Sequence, residues 1–231
     1  MKIFVTGKDQ RIAELQEKTG KLKGLDLIVS ASAEQIVDQE IVPGDIILDL
    51  NLDDQPENLE FYTSMKGITV LGCAVKMQLA MMVYLLDEEV ECNLYGINAL
   101  PTFINRPILE MSTLHKPVTD SLKEIIKQLG WNISEVKDRV GMVTPRVLFM
   151  IINEASFALQ EGTAGMDDID LAMQLGTNYP RGPFAWADDA GIEEVCETLD
   201  AIYMDTGDER YKICPLMKTK YLRGESFRQP E

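Results

Sequence analysis

Apolar positions recur with two different periods along this chain. In its first part, short β-branched runs alternate with stretches of helical spacing. Strands are predicted over 2–6, 26–30, 45–50, 68–75 and 93–98, with helices over 10–18, 33–38, 57–65 and 77–86 between them. That alternation is the signature of an α/β layer fold with a largely parallel sheet. From Val118 onward the period lengthens to that of a helix: Val118, Leu122, Ile125, Ile126 and Leu129 share a face, and Gly130 stands where a helix-ending glycine is expected. One strand is predicted over 131–136. A long helix then begins with Thr144 as its cap and Pro145 in its first turn, reaches Gln160 and stops at Gly162. Its apolar positions, among them Val147, Met150, Ile151, Ala155 and Leu159, are too many for a narrow stripe, so it is read as buried on more than one side. The next helix carries Asp167 and Asp168 in its first turn and is closed by Gly176. A stiff turn at 179–183 leads into 184–189, and a last amphipathic helix covers 192–206. The pattern divides the chain into an α/β domain over 1–114 and a helical domain over 115–231.

Composition narrows the function. The chain has 231 residues and a net charge of −16, and both halves carry an acid excess. Such a surface repels phosphate backbones and anionic membranes, so neither nucleic acid nor membrane is an expected partner. The longest apolar run, Leu79–Leu86, is far short of the roughly 20 residues that cross a bilayer. The opening residues lack the apolar core of a secretion signal, which makes the cytoplasm the default location. Cys73, Cys92, Cys196 and Cys214 form no Cys-x-x-Cys pair and are read as buried hydrophobes. With a single histidine, His115, no His-rich metal site can be built, and no metal is expected. The acidic run 87–91 is read as a solvated loop.

Several pieces of the second half arrive in a recognisable order and spacing: Lys137-Asp138, Gly141, Ile152-Asn153-Glu154-Ala155, Glu161-Gly162, Asp168-Ile169-Asp170, Ala172-Met173, Leu175-Gly176 and Pro180-x-Gly182-Pro183. Over residues 131–217 this stretch resembles the C-terminal helical domain of 3-hydroxyacyl-CoA dehydrogenases. In the first half, residues 45–54, 70–75, 95–98 and 108–110 resemble that family's strands. The resemblance implies a shortened Rossmann-like N-terminal domain, a helical domain that forms a homodimer, NAD as cofactor, an acyl-CoA substrate of fatty acid metabolism and an active site in the cleft between the domains.

The residues at the implied chemical positions depart from the family. A dinucleotide fingerprint needs small residues after the first strand, because the pyrophosphate must approach the backbone and a helix N-terminus closely. Here the turn reads Gly7-Lys8-Asp9-Gln10-Arg11-Ile12, and only Gly7 fits. Asp9 takes the second glycine's place, where a carboxylate about 5 Å from a phosphate costs about 1–3 kcal/mol per unit charge. Ile12 takes the third, where a branched side chain is expected to push helix from strand. Strand two ends Val29-Ser30-Ala31-Ser32 without the acid that binds the ribose, so no cofactor is expected unless the family activity, and NAD with it, is retained. The family reaction moves a hydride between the 3-carbon and the nicotinamide while a histidine, oriented by a glutamate, handles the hydroxyl proton. The histidine's place is Asn98, which cannot exchange a proton near neutral pH. The orienting glutamate remains as Glu110, weighed evenly between that role and a lone carboxylate that is a structural partner or a solvated charge. His115, about 16 Å further along an extended chain, is read as a surface loop residue.

Lys76 replaces the family's serine and is expected to face solvent, although a cation there could meet a carboxylate or a CoA phosphate. Pro145 replaces the asparagine that holds the thioester carbonyl and offers no side-chain donor. Residues 210–228 carry six basic side chains against one acidic and are expected to form a frayed, solvated terminus. Three functions follow: a family member impaired in NAD-dependent hydride transfer that still takes an acyl-CoA, a working dehydrogenase with Glu110 as sole acid/base, or a non-catalytic dimeric assembly module.

Overall fold

In the computed structural model, which describes residues 1–20, 26–86, 88–114 and 116–228, the chain forms two compact units that divide between Met142 and Val143. The first is built on a seven-stranded sheet in the order β2-β1-β3-β4-β5-β6-β7. Its strands are β1 (Ile3–Thr6), β2 (Leu27–Val29), β3 (Ile46–Asp49), β4 (Thr69–Cys73), β5 (Asn93–Ile97), β6 (Ile108–Thr113) and β7 (Asn132–Val136). The first five run parallel, β6 is antiparallel to β5, and β7 is parallel to β6. All four residues of β1 and of β3 are buried, as continuous apolar runs covered on both faces should be.

Four helices accompany the sheet: α1 (Asp9–Thr19), α2 (Ala33–Val37), α3 (Leu79–Leu85) and α4 (Asp120–Gln128). The segment expected to be helical over 57–65 is instead a 3-10 turn at Pro56–Phe61. The larger difference is the domain boundary. β7 pairs with β6 along its length, with Leu109 opposite Ile133 and Glu110 opposite Ser134, and α4 leads into β7. Residues 115–142, assigned from sequence to the helical domain, thus belong with the sheet.

The second unit, Val143–Glu231, is helical: α5 (Thr144–Gln160), α6 (Met166–Thr177), α7 (Pro183–Ala190), α8 (Ile192–Thr206) and α9 (Pro215–Arg223). α8 has the predicted bounds and ends on Gly207 in the left-handed region. Two caps differ from expectation. Val143, with no side-chain bond, stands at the N-cap of α5 in place of Thr144. α6 runs through Gly176 to end on Asn178, whose φ is +57°. All four cysteines are free and buried. Glu88, Glu89 and Glu91 of the acidic run are exposed; Asp87 and His115 lie outside the described residues.

The residues that carry the family resemblance have visible structural work. Both oxygens of Asp138 accept the backbone N–H groups of Leu79 and Ala80, each at 2.9 Å, and so cap α3. Asp170 does the same for α7, accepting from Phe184 N at 2.8 Å and Ala185 N at 3.2 Å. Gly182 is needed beside it, since a Cβ there would lie 2.1 Å from Asp170 Cγ. Asn153, buried on α5, donates to the Lys212 carbonyl at 2.9 Å and accepts from Cys214 N at 2.8 Å.

The basic tail is not frayed through residue 228. It opens in a 3-10 turn at Glu209–Tyr211 and continues as α9. Beyond it, the N–H groups of Phe227 and Arg228 donate to Asp188 at 2.7 and 2.8 Å. The Phe227 ring packs 4.6 Å from that of Phe184, and Arg228 reaches Asp167 and Asp170, each at 2.9 Å. Apolar burial and acidic partners together offset the ordering cost that a tail's composition alone cannot reveal.

Candidate functional site

The strand order reverses at β1, with β2 on one side and β3 on the other, so the crevice beyond the carboxyl ends of β1 and β3 is the sheet's switch point. Gly7 closes β1 against Leu50: a Cβ at Gly7 would come within 2.7 Å of the Leu50 Cβ. The next backbone N–H, that of Lys8, donates to Asn51 Oδ1 at 3.1 Å. Asp9 is exposed in the first turn of α1, and Ile12 is only half-buried. The inward position of this turn is Arg11, which with Leu15 and Thr19 makes the buried face of α1.

Arg11 is fully buried and lies in a group of charges at the switch point. Its Nη1 donates to the Leu50 carbonyl and stands 3.8 Å from Asp53 Oδ1, and its Nη2 is 3.3 Å from Asp54 Oδ2. Lys8 Nζ is 3.1 Å from Asp54 Oδ2, and Lys76 pairs with Asp54 Oδ1. The Lys76 side chain is 8% exposed, so it meets a carboxylate and does not face solvent. Asp53 holds the end of β4 by accepting from Val75 N at 2.9 Å and Lys76 N at 2.8 Å, and the Cys73 thiol lies 3.4 Å from the same oxygen. Burial, with the Asp53 charge adding to it, pushes the Cys73 thiol well above its ordinary range. Nearby, Asp49 accepts from Asn51 N at 3.0 Å, Asn58 Nδ2 at 3.0 Å and Tyr62 OH at 3.1 Å; burial nevertheless pushes its carboxyl up to about 6.

A second cluster lies at the carboxyl end of β5. Asn98 and Glu110 are both buried and in contact: Asn98 Nδ2 donates to Glu110 Oε2 at 3.4 Å, and the Asn98 N–H donates to the Glu110 carbonyl at 3.2 Å. Asn98 Oδ1 accepts from Leu100 N at 3.3 Å. The pair therefore has the placement of an acid and its oriented partner, with an amide in the partner's role. In the loop that follows, Thr102 adopts φ +69°, uncommon for a β-branched residue, and its N–H donates to Glu14 at 2.7 Å. The Arg106 guanidinium stacks on Phe103 at 4.2 Å, and Nε donates to the Thr102 carbonyl at 2.8 Å. Burial raises the Glu14 carboxyl and lowers the Arg106 guanidinium, the latter opposed by the charges of Glu110 and Glu14.

The structure thus joins Asn98 to Glu110 and gathers Lys76 with the first β–α turn. Pro145 belongs to the other unit, buried in the first turn of α5. Asp54 and Glu14 were not singled out in the sequence, and Arg11 stood out there only as a first-turn cation that, like Lys8, could offset the repulsion of a phosphate. Its spacing to Leu15 and Thr19 is the signal that could have placed it inward. Among the described residues no group of three or more His, Cys, Asp or Glu side chains could hold a metal ion, and no helix is long and apolar enough to cross a membrane.

A Rossmann-like sheet with a charged switch point, followed in the chain by a helical unit, defines the class of two-unit, dehydrogenase-like folds. Residues 141–230 match the family model for the 3-hydroxyacyl-CoA dehydrogenase C-terminal domain. The 3-hydroxybutyryl-CoA dehydrogenase of Clostridioides difficile is 29% identical over 197 residues, which cover 85% of this chain and 65% of that protein. The 3-hydroxyadipyl-CoA dehydrogenase of Escherichia coli K12 is 41% identical over 97 residues, covering 42% of this chain and 20% of the relative. The chain therefore spans less than two thirds of the length of these curated relatives. In fold, the (S)-3-hydroxybutyryl-CoA dehydrogenase of Ralstonia eutropha superposes with a TM-score of 0.68 at 19% identity, covering 96% of this chain and 94% of that one. Residues 141–230 are therefore similar to the C-terminal domain of 3-hydroxyacyl-CoA dehydrogenases, and the chain shares the fold of such a dehydrogenase.

Proposed function

We propose that this chain keeps the fold of the family while having lost NAD-dependent hydride transfer, and that it acts by binding an acyl-CoA as a homodimer formed through the helical unit. The observation that carries the first part is the switch-point crevice. Arg11, Asp53 and Asp54 fill the approach that a dinucleotide's pyrophosphate needs, and Asn51 has taken the Lys8 N–H. The residues present do not fit that cofactor. Gly7 does allow the close approach of strand and turn, but an exposed Asp9 carboxylate and the inward Arg11 follow it.

The Asn98–Glu110 pair points the same way. A positioned general base is worth about 10²–10⁴ in rate, and an amide at Asn98 cannot take the proton from a 3-hydroxyl. Glu110 can accept hydrogen bonds at the carboxyl end of β5 and orient a polar group, without the titrating partner that the reaction would need.

The acyl-CoA rests on the names of the relatives, which are CoA-thioester dehydrogenases. The homodimer is supported by apolar side chains left outward on the helical unit, with Val147, Leu171, Leu175 and Met204 each more than half exposed. A steady-state assay with 3-hydroxybutyryl-CoA and NAD or NADP at high protein concentration tests the reading: no oxidation above background is expected. Turnover of about one per second would be an ordinary enzyme rate and would overturn it. Calorimetry with acetoacetyl-CoA then separates an acyl-CoA binder from a pure assembly module, and sedimentation gives the oligomeric state.

A further inference from the structure

Residues 225–228 leave α9 after Gly224, whose φ of +65° ends that helix, and are seated on a surface made by α6, α7 and α9. Asp188 on α7 holds their backbone, its Oδ1 accepting from Phe227 N at 2.7 Å and its Oδ2 from Arg228 N at 2.8 Å. The Phe227 ring rests 4.6 Å from that of Phe184, with Lys220 Nζ 5.6 Å from its centre. The same lysine donates to the Ser226 carbonyl at 2.9 Å. The Arg228 guanidinium reaches Asp170 Oδ2 and Asp167 Oδ1 on α6, each at 2.9 Å. Backbone, ring and guanidinium are thus met separately by groups from three helices, as a bound peptide is read.

We infer that this notch is a binding site for peptide segments in which phenylalanine is followed by arginine, filled in cis by the chain's own tail and taken by such a segment of a partner protein when the tail lifts. The tail is built to be displaced. One ring carries its apolar burial, and the Arg228 and Asp167 side chains are 41% and 83% exposed, so water competes for that ion pair. The walls, by contrast, are fixed from within the helical unit. Asp170 is 8% exposed and held by the N–H groups of Phe184 and Ala185, which also sets the start of α7 and with it the Phe184 ring. Such a preformed surface binds without an ordering cost of its own. The occupant is a separate protein and not a second copy. Four residues beyond Gly224 span only about 13 Å, so a donor copy would have to bring its α9 to a notch where the recipient's α9 already supplies Lys220. Every residue of the notch lies in the helical unit, so the inference stands apart from the reading of the dinucleotide crevice.

F227A/R228A empties the notch in the full chain and leaves its walls in place. The probe is fluorescently labelled acetyl-Gly-Glu-Ser-Phe-Arg-amide, whose two opposite charges cancel, so that the acidic surface alone does not collect it. In anisotropy titrations it should bind the emptied variant saturably and at least tenfold more tightly than the wild type, whose tethered tail competes at a high effective concentration. It should also raise the variant's melting midpoint. Alanine in place of the peptide's phenylalanine or arginine should remove the gain, as should adding D188N to the emptied variant.

R228E, which sets a like charge against the three carboxylates, is the second opening variant if F227A/R228A does not melt cooperatively. Equal affinity for wild type and opened protein, or equal binding of the alanine peptides, would overturn the inference. So would failure of both variants to fold with peptide present, because the tail would then be a requirement of the fold and not a displaceable ligand. A change of oligomeric state between wild type and F227A/R228A in sedimentation would assign the tail to exchange between copies and would equally contradict it.

Discussion

Arg11 is the residue on which the first unit's chemistry turns. A guanidinium with no exposed surface needs compensation, and its hydrogen bond to Leu50 and its pairing with Asp53 and Asp54 contribute to it. Replacing it by Met fills most of the volume but leaves the Asp53 carboxylate buried without that charge. R11M should therefore cost about 3–5 kcal/mol in chemical denaturation, as breaking a buried pair from one side does. A loss below about 1 kcal/mol would mean that water reaches the site and screens it. Asp49 makes a separate prediction. Its carboxyl titrates near 3.8 when unfolded and about 6 when folded, because burial favours the neutral form. The native state then holds more protons between those values, so this group's contribution to stability is most favourable below pH 4 and is lost as pH rises to about 6. The loss is of order 3 kcal/mol and stays constant above that range. D49N should flatten the slope between pH 4 and 6 in urea titrations; an unchanged slope would assign it to other groups. At this scale the sequence exposed Gly7, Asp9, Asn98 and Glu110 as positions to question, but placed Ile12 where the fold uses Arg11. The helical register of α1 decides which side chain faces the strand, and that register depends on packing.

Elements were read best where pattern and cap agreed. β1 to β5 fall where the β-branched runs put them, and α8 where the apolar spacing does. β6 was seen only as a resemblance at 108–110, because an inward-facing Glu110 breaks the apolar run that marks a buried strand. Without β6 there was no neighbour for the strand at 131–136, and the boundary was set too early. α9 was hidden by its basic composition, although Pro215 begins it and Gly224, at φ +65°, ends it. The strap that follows gives a test at this scale. Phe227 is 7% exposed against a fully buried Phe184, and F227A should destabilise the helical unit by about 3 kcal/mol. G182A should cost about 1–3 kcal/mol by overpacking against Asp170, with about 1 kcal/mol more for the disturbed cap of α7. Both are read as lowered midpoints in thermal or urea melts, and an unchanged midpoint in either would contradict the packing described.

For the molecule as a whole, the family resemblance was legible because its marks are structural. Asp138, Asn153, Asp170 and Gly182 cap helices, tie loops and permit close approach, and none of these tasks requires catalysis. The proposed loss of activity rests on substitutions that the sequence displays: an amide at 98, a proline at 145, a bulky and charged first turn. The ion group that fills the crevice could not be read from sequence, since it brings together residues from 8 to 76 through the strand order β1-β3-β4. If both the acid/base pair and the cofactor approach are lost, N98H alone should leave 3-hydroxybutyryl-CoA oxidation at background, whereas rescue by that single change would show a working cofactor site. The most direct test is binding of the reduced dinucleotide itself. Titration of NADH into the wild-type chain, followed by nicotinamide fluorescence and calorimetry, should give no saturable signal up to about millimolar ligand, a free energy weaker than about −4 kcal/mol. Saturation in the micromolar range would show that the crevice admits the cofactor and would contradict the account.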